Sequence, residues 1–351
     1  MIIDKSRLPI AKLLTIGLLP SPLKVLWYKL RGAKIGRGVK IGLGAVISAH
    51  QSIEIGAFTT IGMFTVIDCK KLEIGKRTKI RSFVLIDAQE VIIGDDVIIS
   101  ETALIRTLVP SIKSKIILHD RVHIFPFSMI DPSRKVEIGE ESSVGYDTYI
   151  FTHSAYKSKL EGYPVEFGEV KIGNRVWLPC RVFITQSVTI GDEAVIGTGA
   201  LVNHDIPPGV LAVGTPAKVI KSQEEYVVSY SEAEKFKMLI EILNEFCHYL
   251  EEFGSVSWKY FENSECPRWM LLIKGKSQES IIELSHTYSR VTSADANIIL
   301  GEVPQELQGR WNLDKKVWFS IDSHQCSEYL DSLGEELREY FRRYGIYFGR
   351  P

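Results

Sequence analysis

From Ile35 onward, aliphatic residues return every sixth position, in groups of three. The first group is Ile35, Ile41 and Ile47, and the last is Ile190, Ile196 and Val202. Six more groups lie between them, led by Ile55, Ile74, Ile93, Leu118, Ile138 and Ile172. All 24 of these positions are Ile, Leu or Val, and in seven of the eight groups glycine follows the leading residue. A half-buried strand alternates with period two and an amphipathic helix with period 3.6, so neither produces a strict six. A three-sided solenoid does. Each hexad supplies one short strand and a corner, three hexads close a coil, and the leading aliphatic points into the prism. Glycine is expected to relieve the tight corner. With parallel strands stacked about 4.8 Å apart, eight coils build a prism roughly 38 Å tall. Each buried Ile contributes about 1.5–3 kcal/mol as an upper bound.

An open solenoid needs capped ends. Residues 1–32 are expected to cap the first coil. Their longest uncharged run, Leu13 to Leu23, is too short to span a bilayer and is broken by Pro20 and Pro22. No small-residue cleavage site follows, so no signal peptide is read. A peripheral membrane contact through Trp27, with Lys24, Lys29 and Arg31, is the alternative for this segment.

At 351 residues the chain can hold two domains. The texture changes after the hexads, which end near Val202; "NHDIPPGVLAVGTPAKVIKS" is then expected to leave the prism. Residues 33–223 are assigned to the solenoid and 224–351 to a smaller α+β domain. In the latter, Ser231 and Glu234 form a capping box ahead of an apolar stripe, Phe236, Leu239, Leu243, Phe246 and Leu250. Gly254 is its stop. Strands are expected in "SVSWKYFE", "WMLLIKG", "ANIILG" and "KVWFSID", and a final helix through Tyr329, Leu330, Leu333, Leu337 and Phe341. Trp258, Trp269, Trp311 and Trp318 are expected in its core.

Net charge is −1, with no basic–aromatic pattern, so nucleic acid is not an expected partner. The five cysteines are scattered without a Cys-x-x-Cys pair. That fits a reducing cytoplasm and argues against a disulfide framework or a zinc site. No Walker loop or dinucleotide fingerprint is present.

Two insertions interrupt the hexads. "RTLVPSIKSKII" lies between Ile105 and Leu118, and "FTHSAYKSKLEGYPVEFGEVK" between Ile150 and Ile172. A long surface loop in an otherwise economical solenoid is usually functional. The second carries His153 at its mouth. An imidazole, with an ordinary pKa of about 6.5, can take a hydroxyl proton and return it to a leaving group.

The [LIV]-G-x-x-x-x hexads over residues 33–221 resemble those of the hexapeptide-repeat acyltransferases. Residues 170–221, "VKIGNRVWLPCRVFITQSVTIGDEAVIGTGALVNHDIPPGVLAVGTPAKVIK", resemble without a gap the C-terminal coils of the maltose and galactoside O-acetyltransferases and the xenobiotic acetyltransferases. The resemblance implies a mainly β fold, a left-handed parallel β-helix of about eight coils. It also implies acetyl-CoA as donor, held in a groove between adjacent subunits of a homotrimer, with no metal. His153 stands where those enzymes place their general base. Trp177 would pack beside the acyl and pantetheine end, Cys180 stands where a serine contacts the cofactor, and Thr198 would offer backbone polar groups. Asn203 and His204 replace a Thr-Lys pair, and Lys218 and Lys221 replace two arginines near the nucleotide. On the acceptor side, Tyr156, Glu161 and Tyr163 lie in the loop. Ser128 or Asp131 stands in for an asparagine that some sugar acetyltransferases use.

Two departures bear on the donor groove: "WLP" with Pro179 replaces "WIG", and Gln186-Ser187-Val188 replaces "PGV". His119, His123 and His153 do not match the zinc-binding pattern of the γ-carbonic anhydrases. The resemblance implies an acyl-CoA-dependent O-acetyltransferase acting on a sugar hydroxyl of a cell-surface polysaccharide or its precursor. N-acylation of an amino-sugar nucleotide and a non-catalytic scaffold remain as alternatives.

Overall fold

The computed structural model describes residues 10–109, 111–155 and 157–253, then 257–263, 268–274, 279–285, 298–301, 308, 311, 316–321 and 323–350. The chain divides into two compact units, Met1–Val228 and Ser229–Pro351.

In the first unit, most hexads form a strand of two to four residues, with Val46–Ile55 and Val66–Ile74 running on through a corner, and equivalent hexads lie directly above one another. Ile35 pairs in parallel with Ile55, Ile55 with Ile74 and Ile74 with Ile93. On the second side, Ile41, Ile61, Ile80, Ile99, Ile124 and Val144 stack the same way. The third side runs through Ile86, Ile105, Ile130, Ile150, Ile184 and Val202. None of the 24 hexad positions is more than 8% exposed. They form one continuous apolar column. The fold is the parallel β-helix of the left-handed class, followed by an α+β unit.

The glycines serve a different purpose from the one expected. The left-handed residue at each corner sits two positions after the glycine and is usually not glycine: Phe58 (φ 61°), Arg77 (φ 57°), Asp96 (φ 54°) and Arg175 (φ 53°). A non-glycine residue pays about 1–2 kcal/mol for this conformation. Hydrogen bonding to the coil below offsets it, as Phe58 N–H donates to Arg37 O at 2.8 Å and Arg77 N–H to Ala57 O at 2.9 Å. Glycine is required because the coils stack so closely. A Cβ on Gly56 would lie 2.4 Å from the backbone of Gly75, and one on Gly139 would lie 2.4 Å from the Gly173 carbonyl.

Both prism ends are closed by backbone bonding. Helix Ser21–Leu30 lies under the first coil, whose backbone has no preceding coil to pair with. Tyr28 Oη accepts from Ile47 N–H at 2.8 Å and donates to Ile47 O at 3.1 Å, and Ser21 Oγ accepts from Ile41 N–H. Lys24 is fully buried, and its ammonium donates to the Gly42 and Ala45 carbonyls. Desolvation lowers its pKa. Lys24 is therefore part of the cap, and the membrane-facing role considered for it fails. Trp27 packs against the core, with Arg31 over its ring.

At the other end the segment after Val202 does not leave the prism. Ile206 bridges Ile190, and Ala212 pairs with Ile196. Both are buried in the column, making a partial ninth coil. The small Ala212 hides this coil from an aliphatic pattern. Strand Lys218–Ser222 then turns back antiparallel on Val210–Val213 and covers the last edge.

In the second unit, helix Glu232–Phe253 begins at the expected capping box. Ser231 N–H donates to Glu234 Oε2 at 2.7 Å, and Glu234 N–H donates to Ser231 Oγ at 3.4 Å. Leu243 and Phe246 are completely buried. The stop expected at Gly254 lies outside the described residues. Six strands form a mixed sheet: Ser257–Asn263, Arg268–Lys274, Glu279–Ser285, Ile298–Gly301, Val317–Ser320 and Gln325–Cys326. The third and last were not expected, because polar residues interrupt their apolar pattern. The final helix is Ser332–Phe341, with Asp331 as its N-cap accepting from Gly334 N–H, so Tyr329 and Leu330 precede it. Trp311 and Trp318 are core residues and Trp258 is half-buried.

Candidate functional site

The insertion after Ile150 leaves the third side of the prism and folds into a hairpin. His153–Ser154 pairs antiparallel with Glu166–Phe167, in the register His153 to Phe167. Between them a short turn, Lys159–Glu161, forms the exposed tip. The hairpin places His153 against Asp131, which ends the strand of the coil below. His153 Nδ1 is 2.5 Å from Asp131 Oδ2. The Asp131 side chain is completely buried, and that of His153 is 14% exposed.

The surroundings fix both groups. Asp131 Oδ1 accepts from Leu108 N–H at 3.1 Å, Ser133 N–H at 3.1 Å and Ser133 Oγ at 2.6 Å. Thr152 Oγ1 lies 3.4 Å from Oδ2. A buried carboxylate needs such donors. Leu108 belongs to the first insertion, so both interruptions of the repeat converge on this pair. The Phe167 ring stacks on His153 with centroids 6.0 Å apart, and the Arg134 guanidinium lies over the same Phe167 ring, 4.6 Å from its centroid. Since a carboxylate oxygen can only accept, Nδ1 donates to Asp131, and in the neutral imidazole Nε2 then keeps its lone pair. This arrangement can remove a proton from a group in front of Nε2.

A cavity of about 540 Å³ opens beside the imidazole, lined by Phe151, His153, Glu166, Phe183, Gln186 and Asn203 among others. Gln186 Nε2 donates to Glu166 Oε2 at 2.8 Å, tying the hairpin to the next coil. Ser187, which replaces the glycine of the "PGV" turn, takes the left-handed corner conformation itself, with φ 62°. Pro179 offers its carbonyl to Thr148 Oγ1 at 3.0 Å, so both departures are absorbed by the coil geometry.

The expected site residues divide into three sets. His153 and Asn203 meet at the cavity. Cys180, Thr198, His204, Lys218 and Lys221 are exposed on the last coils, with Asn203 Oδ1 3.0 Å from His204 Nδ1. Trp177 is 57% exposed on the second side and is not among the residues lining the cavity, whereas His153 follows the third side. The acceptor-side expectations are corrected. Ser128 is buried and donates to Gly145 O at 2.8 Å, so it supports the coil. Asp131 is buried behind the imidazole and touches it instead of an acceptor. Glu161 and Tyr163 lie towards the hairpin tip, outside the cavity lining, with Lys157 Nζ 5.6 Å from the Tyr163 ring. Tyr156 lies outside the described residues.

The sequence reading misses Phe151, Phe183 and Glu166, and it marks Gln186 only as a departure in the donor groove. Phe151 and Phe183 each flank an inward Ile on the third side. Outward aromatics on successive coils of one side were the available signal. His119 and His123 are engaged elsewhere, with Glu137 at 3.0 Å and Ser100 Oγ at 3.0 Å respectively.

The chain is similar over 52 residues to the galactoside O-acetyltransferase of Escherichia coli, at 52% identity, covering 15% of this chain and 26% of that protein. Solved structures with a similar course include a UDP-N-acetylglucosamine acyltransferase from Campylobacter jejuni. That likeness has 19% identity, covers 63% of this chain and 86% of the other, and has a TM-score of 0.46. LpxA from Acinetobacter baumannii follows at 16% identity, 59% and 84% coverage and a TM-score of 0.42. No family model matches. The chain spans between about a quarter and a half of the length of the curated relatives it matches.

Proposed function

We propose that this chain is an acetyl-CoA-dependent O-acetyltransferase of the hexapeptide-repeat type, with a sugar hydroxyl as acceptor and His153 as general base. The acceptor belongs to a cell-surface polysaccharide or its precursor. The observation that carries this reading is the buried Asp131–His153 pair facing a cavity that also reaches Asn203.

Asp131 orients the ring and holds the proton on Nδ1. Nε2 takes the proton of the acceptor hydroxyl as its oxygen attacks the thioester carbonyl, and the imidazolium then returns a proton to the departing thiolate. Asp131 also stabilises that imidazolium without itself changing protonation. No covalent intermediate on the protein is needed.

The residues fit a long, phosphorylated donor. Cys180, Thr198, Asn203 and His204 are exposed on the last coils, and Lys218 and Lys221, exposed on the strand that covers the last edge, carry positive charge suited to phosphates. Trp177 and His153 occupy different sides of a three-sided prism, an arrangement suited to a donor molecule held across a contact between copies. This supports a homotrimer with sites between subunits. Residues 33–223 carry the chemistry in this reading, with 1–32 as cap and 224–351 as a separate unit. Among the described residues no helix is long and apolar enough to cross a membrane.

The test is acetyl-CoA consumption, read as free thiol, with a panel of sugars. His153→Ala is expected to lower kcat by about 10²–10⁴-fold. Turnover that survives the substitution would overturn the base assignment. An amide product on amino-sugar nucleotides would replace O-acetylation by N-acylation, and no binding of acetyl-CoA by calorimetry would leave a scaffold.

A further inference from the structure

The register of the third side places two outward columns beside His153. Tyr149 lies directly below Phe183, and Phe183 below Leu201. Two residues on, Asp131 lies below Phe151. The rings of Tyr149, Phe151 and Phe183 are nearly parallel. Tyr149 and Phe183 are 4.9 Å apart at 20°, and Phe151 and Phe183 are 5.6 Å apart at 25°. Asp147 accepts from the Tyr149 hydroxyl at 2.8 Å, which fixes that ring and pushes its phenol above the usual range. Phe183 is 41% exposed although it stands among ordered neighbours. The result is a flat aromatic floor at the edge of the cavity, with the imidazole at one side.

The rest of the lining is polar, with Glu166 as its carboxylate. Glu166 is held by Gln186, with Ser154, Thr185, Ser187 and Asn203 completing the lining. Among the described residues, the lining includes no lysine or arginine. The nearby Arg134 is turned away from it, stacked over Phe167 and bonded to Ser111 Oγ at 2.9 Å.

Resting on the proposed acetyltransfer, we infer that Phe151 and Phe183 seat the apolar face of an uncharged pyranose, while Glu166 accepts from its hydroxyls and rejects anionic acceptors. A pyranose ring presents C–H groups on one face and hydroxyls at its rim. Aromatic rings suit the first and a carboxylate the second. An acceptor carboxylate or phosphate placed beside Glu166 meets like charge with no compensating cation in the lining. The specificity is thus for neutral sugar units, set by rejection as much as by attraction.

The full-length protein is tested with methyl β-D-glucopyranoside, the matching methyl glucuronoside and UDP-glucose. Binding is read by saturation-transfer NMR and turnover by thiol release. Wild type is expected to bind the neutral glycoside through its ring C–H protons, with KM for the glucuronoside about tenfold higher or more. Phe183→Ala and Phe183→Leu are expected to raise the glycoside KM, by about three- to tenfold for the alanine, while KM for acetyl-CoA stays within about twofold. Glu166→Gln is expected to narrow the neutral-to-anionic ratio to about threefold or less. The inference is overturned if wild type binds the glucuronoside or UDP-glucose as well as the neutral glycoside. It also fails if the Phe183 variants leave the glycoside signal intact, or raise KM for acetyl-CoA instead. If the neutral glycoside binds and Phe183→Ala weakens it while His153→Ala remains active, the seat stands and the base assignment falls.

Discussion

Asp131→Asn separates the geometry of the buried pair from its mere presence. The substitution keeps the side-chain shape, so the question is which way the amide faces. Asp131 Oδ1 accepts from three donors, Leu108 N–H, Ser133 N–H and Ser133 Oγ, at 2.6–3.1 Å. Turning the amide nitrogen toward them would leave buried backbone donors without acceptors, costing about 1–3 kcal/mol for each. The amide oxygen therefore stays on that side, and the NH₂ group faces His153 Nδ1. An NH₂ group donates, so Nδ1 must become the acceptor and the proton moves to Nε2, the atom that should act as base. The expected loss in kcat is about 10²–10⁴-fold, with the thermal melting midpoint little changed and binding of acetyl-CoA retained. Nitrogen-detected NMR of the labelled histidine should show the proton on Nδ1 in wild type and on Nε2 in the variant. A variant that keeps more than about a third of wild-type kcat would refute the argument. So would an unchanged tautomer.

Two further outcomes follow from coil stacking and from cysteine burial. Gly139→Ala puts a Cβ 2.4 Å from the Gly173 carbonyl, where the neighbour is backbone and cannot rotate away. It should destabilise the protein by about 1–3 kcal/mol in denaturant unfolding, whereas Gly162→Ala, at the hairpin tip with open space around it, should act only through its left-handed backbone, with φ 83°. Thiol labelling should distinguish the cysteines. Burial pushes the Cys69 and Cys247 thiols up to about 12, so both should react slowly in the native state, and exposed Cys180 should react before either. Acetyl-CoA should slow labelling of Cys180. Unchanged labelling at saturating donor would remove Cys180 from the donor groove.

The β-helix was legible because its signal is local and redundant. Twenty-four aliphatic positions at a fixed spacing admit one closed arrangement, and register follows, since slipping any coil would turn Ile out of the column. The reason for glycine was not legible. The sequence places a small residue at the corner, but only stacked coils reveal that the obstacle is the next coil's backbone. Ala212 shows the complementary failure, as an inward residue too small to register as part of the repeat.

The pattern also isolated the two insertions and drew attention to His153. It could not pair His153 with Asp131, because a separation of 22 positions spans one coil and a corner. Whether an Asp at the end of a strand faces an acceptor or lies behind an imidazole depends on where the hairpin folds. That is set by contacts such as Phe167 on His153 and Glu166 on Gln186. A repeat written in the chain determines a scaffold, because each residue answers only to its neighbours above and below. The site joins the first insertion, a strand end, a hairpin and a later coil, and those meet only once the coils are stacked.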